Sequence, residues 1–235
     1  MQSFKEENYL KAIYQLKIGD QKEVVTITDI SVQLGLKTPT VLEKIKSMAI
    51  KKLISYDKIC GVQLTKNGFD VAVNIVRRHR IWETYLYKEL KFSWSEVHEI
   101  AEQLEHVNSA KLIEKIYAIL GYPKFDPHGD PIPDLKGVLP KSERRPLSKS
   151  VEGCKLLILG VSEHSDSFLN YLSEKHIGLN DRFVIEKIDG FDESLMLISK
   201  SKERCLVSAK AAKFIQVACL KENCACKASG GTTKA

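Results

Sequence analysis

No stretch of this chain approaches the roughly 18 consecutive apolar residues of a membrane-spanning helix, so no span is expected. The opening residues, MQSFKEENYL, lack the apolar core of a secretory signal, so export is not expected either. Cysteine is thin, with six in 235 residues, and three of those fall in the last 17. That usage fits reduced thiols of a cytoplasmic protein better than a disulfide framework. Arginine is missing from the first 66 residues, which hold eleven lysines against seven acids. What remains is ordinary for a globular protein with a real core, at 43% hydrophobic and 28% charged. The net charge of +6 permits a nucleic-acid partner without requiring one.

The first 65 residues read as a winged helix-turn-helix. A helix is expected over 3–18, then a short helix capped by Thr26 or Thr28 that stops near Gly35. A third helix follows with Thr38 as N-cap and Pro39 at its first position, its stripe made by Val41, Ile45, Met48, Ala49 and Leu53. LISYDKICGVQLTKNG alternates loosely about a turn near Lys58 to Gly61, which predicts a two-stranded ribbon. In such a unit the start of the third helix meets base edges and lysines meet phosphate. Lys37, Thr38, Pro39, Thr40 and Glu43 are the candidates for that contact, with Lys44 and Lys46 for phosphate. The plainer alternative is a helical module that contacts protein.

Residues 66–140 read as a helical domain. The pattern over 66–91 carries more apolar surface than a lone helix needs, so a homodimer seam is expected along it. Between Arg77 and Val107 histidines and glutamates recur at helical spacing. His79 and Glu83 are four apart, and His98, Glu102, Glu105 and His106 would share an arc of about 100° on a helix over 95–107. Such a face either is solvated, as polar helix faces usually are, or offers imidazole and carboxylate ligands to a metal.

Six of the seven prolines lie in 121–150, an ordered turn segment ending in a linker over 141–150. Over 151–220, CKLLILGV, DRFVIEKI, SLMLISK, RCLVSA and KFIQVACL predict five short strands with one helical insert, a small SH3-like barrel. The fold class is therefore mainly α with a small β domain. Residues 221–235 read as a disordered tail. Cys219, Cys224 and Cys226 could hold a soft metal or form a redox pair, but no fourth ligand lies near in sequence.

The blocks EENYLKAIY, LKTPTVLEKIKSM, LTKNG, RRHRIWE, VHEIAEQLEHV, GDPIP and SEHSD, in this order, give the chain its resemblance to a known family. It resembles the diphtheria-toxin-repressor and manganese-transport-regulator family of metal-dependent transcription regulators, in the three-domain form. The resemblance covers nearly the whole chain. It implies a cytoplasmic homodimer on palindromic operator DNA, two metal sites per subunit, and repression of metal-uptake genes, with no membrane partner, no small-molecule substrate and no catalysis. It implies a primary site of Asn8, Glu102, Glu105 and His106. It implies an ancillary site of His79, Glu83 and His98, joined by Glu163 and Asp166.

Two departures stand out. Asn8 offers an uncharged amide oxygen, and Lys11 stands where manganese sensors of the family carry a carboxylate. Glu102 favours hard oxygen ligation, hence Mn(II), while Fe(II) is tolerated. Three alternatives stand beside this reading. One is an iron-dependent regulator of the same family, and another a winged-helix regulator whose metal site has decayed. The third is a metalloenzyme, disfavoured because no nucleophile or base is set apart.

Overall fold

The computed structural model describes residues 3–141 and 144–220, with the Asp166 side chain left out. The chain forms two compact units. The first comprises residues through Trp82, Glu99–Lys124 and Ile132–Pro140; the second comprises Glu83–His98, Phe125–Pro131 and the chain from Lys141 onward.

In the first unit, helix α1 (Phe4–Tyr14) starts at a capping box, with Ser3 and Glu6 each accepting the other's backbone N–H. It runs on through one wider π turn, Gln15–Gly19. Helix α2 (Ile27–Leu34) is capped in the same way by Thr26 and Asp29, and Gly35 ends it at φ 62°, a left-handed position suited to glycine. Helix α3 spans Thr38–Ile50, and its cap is Lys37 rather than the expected Thr38. The Thr38 hydroxyl instead accepts from Ser31 Oγ of α2 at 3.3 Å, which ties the turn between the helices.

Strands β1 (Ile54–Asp57) and β2 (Gly61–Leu64) form the expected antiparallel ribbon. Leu10, Ile13, Ile30, Val41, Ile45 and Met48 are fully buried together. Each contributes about 1.5–3 kcal/mol of apolar burial. Helix α4 (Lys66–Lys88) follows, and Gly68 lies so close to the chain at Leu53 that a Cβ would meet the Leu53 carbonyl at 1.8 Å.

The apolar face of α4 does not form the open seam read from sequence, because the chain itself buries Ala72, Val73, Ile75, Val76, Ile81 and Leu86. Outside the first 65 residues, the unit exposes apolar side chains at Val107, on α6 (Ala110–Ile119) and after it, at Leu112, Ile119, Tyr122, Leu135 and Val138. Helix α5 (Trp94–Leu104) stops three residues short of the expected end. Glu105 N still reaches Ala101 O at 2.8 Å, but the chain then turns towards the Ser109 cap of α6. His98 and Glu102 are therefore helical, while Glu105 and His106 sit in a turn.

The second unit holds a six-stranded antiparallel sheet in the order β3-β8-β4-β5-β6-β7. The five expected strands are β4 (Lys155–Val161), β5 (Arg182–Ile188), β6 (Leu195–Ser199), β7 (Arg204–Val207) and β8 (Ile215–Cys219). The sixth, β3 (Arg145–Pro146), comes from the stretch read as linker and pairs with β8, followed by the fully buried Leu147. Helix α7 (Asp166–Glu174) is the insert between β4 and β5, and a short α8 (Ala209–Ala212) precedes β8. Trp94, Leu156, Ile158, Leu169, Leu172, Leu197 and Val217 share its core.

The loop Phe125–Pro131 lies flat on β4. Gly129 has φ +86°, and a Cβ there would meet the Leu159 carbonyl at 2.0 Å, so only glycine allows the approach. Val161 N donates to His128 O at 2.8 Å and fixes the loop. Among the described residues, no helix is long and apolar enough to cross a membrane.

Candidate metal centres and nucleic-acid face

In the first unit a buried ionic cluster joins α1 to the end of α5. Lys11 Nζ lies 2.6 Å from Glu105 Oε2 and 3.6 Å from Glu102 Oε1. It is also 3.2 Å from His79 Nδ1, which itself lies 2.6 Å from Glu105 Oε2. Whichever tautomer His79 takes, its Nδ1 has a partner: the Lys11 ammonium for a lone pair, or Glu105 for a proton. Burial alone would push the Glu105 carboxyl up, but His79 and Lys11 outweigh it and hold the group below its usual value. His106 turns to α1, its Nδ1 2.6 Å from Glu7 Oε2 and its ring stacked on Phe4. Arg78 pairs with the same Glu7 at 3.5 Å.

Asn8 is exposed and lines a cleft with Leu34, Leu36, Thr40 and Lys44. The four residues Asn8, Glu102, Glu105 and His106 are thus not gathered on one point. Glu105 is held by Lys11 and His79, and His106 by Glu7. The α1 residue at the centre is a cation. As folded, this set does not fit a divalent metal, because an ion placed at Glu105 would meet the Lys11 ammonium.

The second unit gathers a different set. Glu83 is buried at the end of α4, and its Oε1 lies 3.1 Å from His98 Nδ1 and 3.6 Å from His128 Nδ1. Glu83, Asp126 and His128 bring ligand atoms within 4.8 Å of one another, and all three are buried. His128 Nε2 donates to the Trp94 carbonyl at 3.1 Å, which turns Nδ1 towards Glu83. That is the arrangement that orients a ligating imidazole. Asp126 Oδ1 accepts from His128 N and Asp130 N at 2.9 and 2.8 Å and shapes the loop. Burial opposes charge on His128, but Glu83 and Asp126 prevail and raise its pKa to about 9. This set of carboxylates and imidazoles fits a divalent ion.

Of the barrel residues expected to join Glu83 and His98, Glu163 accepts from Ser165 N at 2.9 Å, and the Asp166 side chain lies outside the described residues. The neighbour of both, His164, packs edge-on against His128 with centroids 5.1 Å apart. Its buried Nε2 has no hydrogen-bond partner and stands 3.7 Å from Asp130 Oδ2. Sequence reasoning missed Asp126, His128 and His164. The only available signal was a histidine flanked by acids in DPHGD, a turn without periodicity.

On the nucleic-acid side, Lys37, Thr38, Pro39, Thr40, Glu43 and Lys46 are exposed around the start of α3. Lys44 differs: with Lys51 it pairs with the buried Glu6, at 2.9 and 2.7 Å. The Lys51 bond, against the cost of burial and with help from Lys44, lowers the Glu6 pKa to about 2. The sulfurs of Cys154 and Cys219 lie 3.9 Å apart, and Cys224 and Cys226 lie outside the described residues.

Two family models match. Residues 1–62 match the iron dependent repressor N-terminal DNA-binding domain, and residues 65–134 match the iron dependent repressor metal-binding and dimerisation domain. Among solved structures, a manganese-dependent transcriptional repressor in complex with manganese is 32% identical, with a TM-score of 0.79. That match covers 92% of this chain and 100% of the other. Among curated proteins, a probable metal transport system membrane protein of Chlamydia trachomatis is 43% identical over 70 residues, 30% of this chain and 16% of that protein. The iron-dependent repressor IdeR of Mycobacterium tuberculosis is 32% identical over 131 residues, 55% of each. The chain thus spans between a sixth and just over half of these two curated relatives.

Proposed function

The chain belongs to the iron-dependent repressor family, and from that premise we propose that it is a metal-dependent transcription regulator that binds operator DNA as a homodimer. The observation that carries this reading is the α2–Gly35–α3 turn, with the exposed Lys37 to Thr40 at the start of α3. A helix start set in this way offers N–H groups and short side chains to a major groove, while Lys37 and Lys46 supply charge for phosphate. A two-fold dimer would place two such helices on successive grooves of a palindrome. The exposed apolar residues of α6 and the segment after it are the surface we assign to the dimer contact. The reading is that of a regulator in the cytoplasm rather than an enzyme.

We assign the effector ion to Glu83, His98 and His128, with Asp126 beside them and Glu163, Asp166 and His164 as further donors from the sheet domain. His79, one helical turn before Glu83, stands at the edge of this set in sequence and is bonded to Glu105. When bound, the ion supplies the positive charge that lets two carboxylates and two or more imidazoles share one point. Oxygen and imidazole donors without sulfur suit Mn(II) and tolerate Fe(II). The manganese complex of the similar repressor supports the same choice. The fluorescence anisotropy of an operator duplex selected from randomised DNA, read with Mn(II) and with chelator, tests the proposal.

A further inference from the structure

We propose that Lys11 is a built-in cation: its ammonium holds Glu105 and His79 in the place where a divalent ion would otherwise join α1 to the α5 turn. This deepens the regulator reading, because α1 belongs to the DNA-binding head.

Three observations carry it. First, Lys11 is almost fully buried, with 7% of its side chain exposed, and Glu105 has 2%. An ammonium taken out of water needs partners for its three protons. Glu105 at 2.6 Å, His79 at 3.2 Å and Glu102 at 3.6 Å stand around Nζ. Second, the geometry is that of a small cation's surroundings: two carboxylates and an imidazole converge on one point, and a fixed positive charge already fills it. A second cation there would face direct repulsion in a buried setting, where charges are poorly screened. Third, Glu7 lies one helical turn before Lys11 on the same face of α1 and takes His106 at 2.6 Å. Both α1 side chains on that face are therefore bonded to the turn after α5 through protein groups.

On this proposal the hold of α1 on the turn comes from the Lys11–Glu105 and Glu7–His106 bonds rather than from an ion. The ion response is then assigned elsewhere, and among the described residues the set around Glu83 fits an ion.

Counting bound Mn(II) on the full-length protein, by electron paramagnetic resonance of the free ion, tests this without reference to DNA. Failure of the regulator reading would therefore leave the count interpretable. In the wild type, Glu105→Gln is expected to leave the number of bound Mn(II) per subunit unchanged, because Glu105 holds Lys11 and not an ion. Lys11→Glu, which replaces the ammonium with a third carboxylate, is expected to bind one Mn(II) more per subunit. Loss of an ion on Glu105→Gln, or an unchanged count for a folded Lys11→Glu, would overturn the proposal. Thermal unfolding in chelator gives an independent arm. Lys11→Met should melt well below the wild type there, and an equal melting temperature would also overturn it.

Discussion

His106 Nδ1 and Glu7 Oε2 are 99 residues apart in the chain and 2.6 Å apart in space. The bond ties the first turns of α1 to the segment that follows α5, and Arg78 supports it from α4. Replacing Glu7 with Gln keeps the shape and removes the charge. A charge-assisted bond of this kind is worth about 1.5–3 kcal/mol. Glu7→Gln should lower the melting temperature by several degrees, which calorimetry reads directly.

Glu6 gives the head a defined acid limit. Its folded pKa, near 2, lies below the ordinary value of 4.5. A depressed carboxylate contributes stability that is fully present above the unfolded value and is lost as pH falls through the folded one. The melting temperature should therefore fall between about pH 4.5 and pH 2. Glu6→Gln should flatten that limb and lower stability at neutral pH, since Lys44 and Lys51 lose their partner. An unchanged acid limb would show that Glu6 is not the group responsible.

The face of α3 separates two kinds of lysine. Lys37→Ala and Lys46→Ala should each weaken DNA binding on any sequence and reduce the slope of log K against log salt by about 1. Lys44→Ala should instead destabilise the head, through Glu6, with a smaller change in salt slope. Thr40→Ala should relax sequence preference at one base step, at about 1–3 kcal/mol.

The loop that carries His128 depends on a missing side chain. Gly129→Ala would drive a Cβ into the Leu159 carbonyl and strain a positive φ. It should lift the loop from β4, destabilise the second unit and weaken ion binding together. His128→Phe keeps the bulk and removes the donor. It should weaken Mn(II) binding by calorimetry and also lower the melting temperature in chelator, because Glu83 and the Trp94 carbonyl each lose a buried partner.

Local chemistry wrote much of this fold where it can be read. Ser3 with Glu6, Thr26 with Asp29 and Gly35 mark helix ends from a few neighbouring residues, and strand alternation marks the sheet. Thr38 misled by one position because its hydroxyl bonds to Ser31, a partner seven residues back across the turn. The helical arc of His98, Glu102, Glu105 and His106 failed as a single face because α5 stops at Leu104. Lys11 was legible as a departure from the family's pattern, but its partner Glu105 is 94 residues away. His128 left only the acids beside it in DPHGD: its orientation comes from the Trp94 carbonyl and from the fit of Gly129 on β4, and neither leaves a period in the sequence.

Operator affinity in Mn(II) and in chelator, measured on the same full-length protein, tests the central reading most directly. A 5- to 150-fold gain with Mn(II), roughly 1–3 kcal/mol of coupling, is expected, lost in Glu83→Gln and kept in Glu105→Gln. Equal affinity in metal and in chelator would contradict it.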